Sequence, residues 1–161
     1  MVAAAFVLAI ALLTWFFAGV EQRAHNPNED PASTQTIAGG IEVQLERNRA
    51  GHYVMSGSIN GVSVDFILDT GATDVVIPAS VADAAGLEQG YANQAMTANG
   101  MVTIFSTRIA SLELGAIELN DVRASINPSM HDSIVLLGMS ALRQIEFSQR
   151  GSLLTLRYHT E

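Results

Sequence analysis

The chain has 161 residues, with eight basic side chains, all arginine, against sixteen acidic ones and a formal net charge of −8. No basic stripe is available to engage phosphates, so nucleic acid is not an expected partner. The absence of cysteine excludes disulfides and thiol chemistry.

In chain order, the first segment is Met1 to Val20, an uninterrupted apolar run without a single charge. Roughly 20 such residues suffice to cross a bilayer as a helix. Trp15 lies towards its end, where an aromatic anchor suits the membrane interface. A cleaved signal peptide is the competing reading. Its apolar core usually spans only ~7–15 residues, and here no basic residue precedes the run and no Ala-x-Ala site succeeds it. The expectation is a retained transmembrane helix over 1–20. Residues 21–36 hold Pro27, Pro31, Ser33 and Thr34 without apolar periodicity. They predict a flexible tether reaching on the order of 20–25 Å. Residues 37–161, with no internal repeat, suit one domain and one core.

Within that domain, Gly57 to Gly61 reads as a hairpin turn between Tyr53-Val54-Met55 and the strand Val62 to Leu68. The alternation of Val62, Val64, Phe66 and Leu68 with Ser63, Asp65 and Ile67 buries the even positions. Asp69 then lands on the opposite face at the strand's end, ahead of Thr70-Gly71-Ala72-Thr73. Glycine permits the tight turn there, which leaves a carboxylate on a rigid support. Val75 to Pro78 reads as a short strand stopped by proline. Ala79 to Ala85 reads as a helix stopped by Gly86. Met96 to Thr103 carries Asn99-Gly100, the pair a type I′ hairpin turn demands. Ile134 to Leu137 is a buried run closed by Gly138. Arg143 to Phe147 and Leu153 to Tyr158 read as strands around a turn at Ser148 to Ser152.

A bare Asp-Thr-Gly is common, and the tripeptide gains weight only from the elements on its C-terminal side. The succession Asp69-Thr70-Gly71-Ala72-Thr73, short helix, Thr97-Ala98-Asn99-Gly100 hairpin, Leu136-Leu137-Gly138-Met139 and closing strands resembles the retropepsin-like, retroviral-type aspartic proteases. The resemblance covers about Tyr53 to Tyr158 and is closest to the bacterial membrane-anchored branch. It implies an all-β, closed barrel with one or two short helices. It implies Asp69 as the catalytic residue, supported by Thr70, Gly71, Ala72 and Thr73, and a flap at Ala98, Asn99, Gly100 and Met101. A peptide or protein substrate, no cofactor and a periplasmic domain on the bacterial inner membrane complete the expectation. Two positions depart from the viral pattern. Thr73 stands where a second acid is usual, and Met139 stands where arginine is usual.

One Asp-Thr-Gly supplies one carboxyl, whereas this chemistry uses two that share a proton. The reading therefore requires a homodimer with one Asp69 from each subunit. The remaining candidates read as structural. His25, His52, His131 and His159 lack metal-ligand spacing. Ser140 sits outside any Gly-x-Ser-x-Gly elbow. Asp65 reads as a solvated mid-strand residue, and Asp74 as a turn residue. Two rival readings stand beside the enzyme: a catalytically silent retropepsin-like binding or dimerisation module, and a membrane-tethered β-barrel adaptor whose Asp-Thr-Gly is coincidental.

Overall fold

A computed structural model describes residues 6–7, 10–15, 24–36, 39–97 and 100–159. Of the apolar segment 1–20, residues 6–7 and 10–15 are helical and exposed; the rest of that segment lies outside the described residues. Among the described residues no helix is long and apolar enough to cross a membrane.

Eleven strands and two short helices are described. They are β1 (Ser33–Gln35), β2 (Gly40–Glu46), β3 (Val54–Ile59), β4 (Val62–Leu68), β5 (Val75–Pro78) and α1 (Ala79–Ala84), then β6 (Ala92–Thr97), β7 (Gly100–Leu114), β8 (Ile117–Asn127), β9 (Ile134–Leu137), α2 (Met139–Leu142), β10 (Glu146–Arg150) and β11 (Leu153–His159).

The larger sheet runs β3-β4-β9-β5-β8-β7-β6, and a further pairing of β3 with β7 closes six of these strands into a ring. Closure pairs Ser58 with Glu113 and Ile59 with Leu112. It depends on Gly57, because a Cβ there would run into the Glu113 carbonyl. Inside the ring Phe66, Ile77, Ile109, Leu112, Ile126 and Leu137 are fully buried. At roughly 1.5–3 kcal/mol for each such side chain, this interior is the main source of stability. β6 lies outside the ring and pairs only with the N-terminal half of β7. The second sheet, β1-β2-β11-β10, adds Val43, Leu45 and Leu156 to the core. Across it Arg157 Nε donates to Glu42 Oε2 at 2.9 Å, and this hydrogen bond holds the Glu42 carboxyl below its ordinary range.

The all-β expectation holds, and several boundaries shift. The first hairpin turns on Asn60-Gly61, with φ of +49° and +80°, so β3 runs on through Gly57 to Ile59. This is the same type I′ chemistry that the sequence also offers at Asn99-Gly100. In the β6–β7 hairpin Thr97 pairs with Gly100. Gly100 therefore opens β7, and Ala98 and Asn99 lie outside the described residues. Arg143 closes the α2 turn, its N–H donating to the Met139 carbonyl, so β10 begins at Glu146 rather than Arg143.

The largest correction concerns the tether. Across 24–36 the segment is tied to the folded body, and β1 pairs with β2. Asn28 is 4% exposed; its Nδ2 donates to the Glu46 and Val54 carbonyls and its Oδ1 accepts from the Glu46 N–H. Asn26 Nδ2 donates to Ser56 Oγ and to Asp65 Oδ1, both at 2.9 Å. Asp65 is thus a bonded anchor point, not a solvated residue. Asparagines that look like loop composition supply backbone-like amides to the ends of β2 and β3. Asn28→Ala leaves those buried groups unpaired, and should cost about 2–3 kcal/mol in urea unfolding.

Candidate active site

β4 delivers Asp69 to the end of the barrel, where the parallel neighbour β9 also ends. The Asp69 N–H donates to the Leu137 carbonyl at 3.1 Å, which fixes its backbone. The turn then folds back on its own carboxylate. The Gly71 N–H donates to Asp69 Oδ1 at 2.9 Å, and the Ala72 N–H to the Asp69 carbonyl at 3.2 Å. A backbone donor to a carboxylate oxygen is a charge-assisted bond, stronger than a neutral one, and it sets the side chain's direction. Asp69 is half-buried, and Thr70, Gly71 and Thr73 are exposed.

The loop is held from beneath by α2 and the residue before it. The Met139 N–H donates to the Ala72 carbonyl at 2.9 Å and the Ser140 N–H to the Thr73 carbonyl at 3.0 Å. Ser140 Oγ bridges two elements, accepting from the Val75 N–H at 2.9 Å and donating to the Arg123 carbonyl at 2.7 Å. Arg123 Nε in turn pairs with Asp74 Oδ1 at 2.7 Å, and Ser125 Oγ donates to Asp74 Oδ2 at 3.4 Å. Gly138 lies so close under the loop that a Cβ would collide with the Asp74 carbonyl.

Asp69, Gly71, Ala72 and Thr73 form part of the wall of a cleft of about 1020 Å³. Val76, Leu136 and Met130 add apolar surface, Asp74, Ser125 and Asn127 polar surface. The β6–β7 hairpin covers it through Ala95, Met96, Thr97, Val102 and Ile104. Of the expected flap residues, Ala98 and Asn99 lie outside the described residues. Gly100 and Met101 are described but do not line the cleft. The cleft-facing flap residues flank the predicted tip. Among the described residues no group of three or more His, Asp or Glu is placed to hold a metal ion.

Residues 55–144, more than half of the chain, match the family described as "gag-polyprotein putative aspartyl protease". The chain belongs to that family. Among solved structures, it is similar to a retropepsin-like aspartic protease from Rickettsia conorii, at 26% identity and a TM-score of 0.65, over 80% of this chain and 95% of that one. Two curated relatives are also similar. An uncharacterized protein in the cobV 5′ region of a Sinorhizobium species is 27% identical over 114 residues, 69% of this chain and 49% of that protein. An uncharacterized protein of Rickettsia prowazekii is 29% identical over 121 residues, 73% of this chain and 52% of that one. The chain thus spans about half the length of the curated relatives it matches.

Against this aspartyl-protease fold, sequence reasoning located the Asp-Thr-Gly loop and the Leu136-Leu137-Gly138 run that lies against it, but missed Ser140 and the Asp74–Arg123 pair as supports. In sequence Ser140 offers only an incomplete nucleophile motif, yet it is the clamp that ties the loop to β8. The pairing of Asp74 with Arg123 joins residues 49 apart and leaves no local signature. Ser140→Ala removes the acceptor of the buried Val75 N–H. The variant should lose about 1–3 kcal/mol of stability, read from the denaturant midpoint.

Proposed function

We propose that this chain is a membrane-anchored aspartic endopeptidase, acting through two Asp69 carboxylates contributed by the two subunits of a homodimer. The observation that carries the proposal is the Asp69 carboxylate, aimed by the Gly71 amide at the wall of a hairpin-covered cleft. The other carboxylate lining that cleft, Asp74, is engaged by Arg123 and Ser125. It is therefore not a free partner for Asp69, and a second chain is the natural source.

In the dyad, two carboxyls at close range share one proton, as is general in the aspartic proteases. The ionised one takes a proton from the attacking water; the protonated one donates to the scissile carbonyl as negative charge develops there. Thr70, exposed beside Asp69, braces the pair across the two-fold axis in this reading. The β6–β7 hairpin closes over the peptide and excludes water. Residues 1–20 anchor the enzyme in a bacterial inner membrane, with the barrel on the periplasmic side. The docked stretch 24–36 keeps the barrel close to that membrane.

The test uses the full chain in detergent micelles, a peptide library and mass spectrometry from acidic to neutral pH. Cleavage per subunit should rise with protein concentration through the dimerisation range. It should be blocked by a statine-type transition-state mimic. Silence from a demonstrated dimer across that pH range would instead favour a binding module.

A further inference from the structure

We infer that Arg47, Arg49 and Arg150 form a basic rim that seats on anionic lipid headgroups, at the end of the barrel where Asp69 stands. The contact presupposes the membrane anchor proposed above and orients the barrel on it.

Three chain segments meet at this end. β2 runs out at Glu46, and Asn48 closes the turn to β3. Its N–H donates to the His52 carbonyl at 2.8 Å, its carbonyl accepts from the Gly51 N–H at 3.0 Å, and its Oδ1 accepts from the His52 N–H at 2.9 Å. The turn from Arg150 to Leu153 lies beside it, where the Arg47 N–H donates to the Ser152 carbonyl at 3.0 Å. The N-terminal stretch arrives at the same place, since Asn48 Nδ2 donates to the His25 carbonyl at 2.9 Å. Arg47 also bridges to Tyr53, whose carbonyl accepts from the Leu68 N–H at 3.0 Å. Leu68, with Asp69 after it, therefore stands about two strand spacings, roughly 10 Å, from Arg47.

The charges on these turns are of one sign. Residues 24–26, 47–53 and 149–152 hold Arg47, Arg49 and Arg150, with His25 and His52, and none of the sixteen acids. All five of those side chains are exposed. Arg108, Arg123 and Arg157 each pair with a carboxylate. Among the described residues, Arg47, Arg49 and Arg150 pair with none. The next acids along these strands are Glu46, and Glu29 and Asp30 on the stretch beside β2; Asp69 lines the cleft. At a formal net charge of −8 the chain as a whole is repelled by an anionic surface, and the rim is where the sign reverses.

The place of the rim in the chain selects lipid as its partner. Val20, the last residue of the apolar run, is five residue steps from His25, at most about 18 Å of chain even when fully extended. The rim therefore stays near the surface from which the chain emerges. Attraction to anionic headgroups decays within about 8 Å at physiological salt, a range that this short lead lets the arginines enter. Each arginine there favours the seated state about fivefold, and three together on the order of 10²-fold. A dissolved anion would gain nothing from this proximity.

The test uses the full chain reconstituted into vesicles, with one introduced cysteine carrying a fluorophore; no native cysteine competes. Ala50→Cys labels the rim. Ala116→Cys, in the turn between β7 and β8 at the far end of β3, is the control. A headgroup-attached quencher should quench Ala50→Cys at least about threefold more in vesicles with one third phosphatidylglycerol than in phosphatidylcholine alone. The Ala116→Cys signal should be the same in both. Salt at about 0.5 M should abolish the difference. So should Arg47→Gln, Arg49→Gln and Arg150→Gln combined, in a protein whose urea midpoint is unchanged. Equal quenching at position 50 in the two lipids, or an undiminished response in the folded triple variant, would overturn the inference. Flotation separates the contact from the anchor. A chain that floats with neutral vesicles, yet shows no lipid-dependent quenching, keeps the anchor and loses the rim. A chain that floats only with anionic vesicles, and only with its three arginines, keeps the rim and loses the anchor.

Discussion

Asp69→Asn should reduce peptide hydrolysis at least about 10³-fold, because it removes the group that both takes and returns the proton. The fold should survive. Asparagine keeps an oxygen at the position that accepts the Gly71 N–H at 2.9 Å. The Asp69 backbone bonds to Leu137 and Ala72 do not involve the side chain. Activity and stability are thus expected to separate, with an unfolding midpoint near that of the wild type. Mixing excess Asp69→Asn subunits into wild-type protein should also suppress cleavage, since each mixed dimer has a single carboxylate. Full activity in the variant, or in every mixture, would remove Asp69 from the chemistry. The readout is peptide-library cleavage beside a urea titration of the same samples.

The second large effect is expected at Gly138. Its φ of −89° is open to any residue, so an added methyl group meets no backbone strain, only the wall of the loop. That wall is the Asp74 carbonyl, with the Ala72 carbonyl 2.8 Å from the new Cβ. Neither can retreat freely. Ala72 is bonded to Met139, and Asp74 is the residue paired with Arg123. Gly138→Ala should therefore cost about 3 kcal/mol, as overpacking at a tight contact does. Gly151→Ala is the control. There the space is open and only a φ of +65° resists, so the cost should be about 1–2 kcal/mol. Displacing the loop moves Asp69 as well, and a shift of about 1 Å can lower a rate on the order of 10²-fold. Gly138→Ala should consequently lose far more activity than Gly151→Ala when both are assayed well below their melting points. Equal stability losses at the two glycines would refute the close contact.

Local pattern carried much of this fold. The alternation in Val62 to Leu68, the helix stop at Gly86 (φ +65°) and the buried run Ile134 to Leu137 were legible because their causes lie within a few residues. The two Asn-Gly pairs show the limit. Both residues of Asn60-Gly61 take turn positions, whereas Gly100 pairs with Thr97 and opens β7, because strand register decides which residues lie between paired ends. Composition misled over 24–36. Asparagine, proline and serine are what a free linker contains, yet Asn26 and Asn28 are nearly fully buried. Their partners on β2, β3 and β4 are distant in sequence.

The sequence by itself determined where a carboxylate would stand: at the end of an alternating strand, on a glycine turn, ahead of elements in a recognisable order. Those features depend on period-two burial and on glycine's backbone freedom, both short-range properties. The tertiary structure decided what holds the loop beneath that carboxylate in place. The β3–β7 closure, the Ser140 bridge and the Asp74–Arg123 pair each join residues with no local mark of their contact. Such contacts exist only once the ring has closed, because burial and register, rather than propensity, choose the partners.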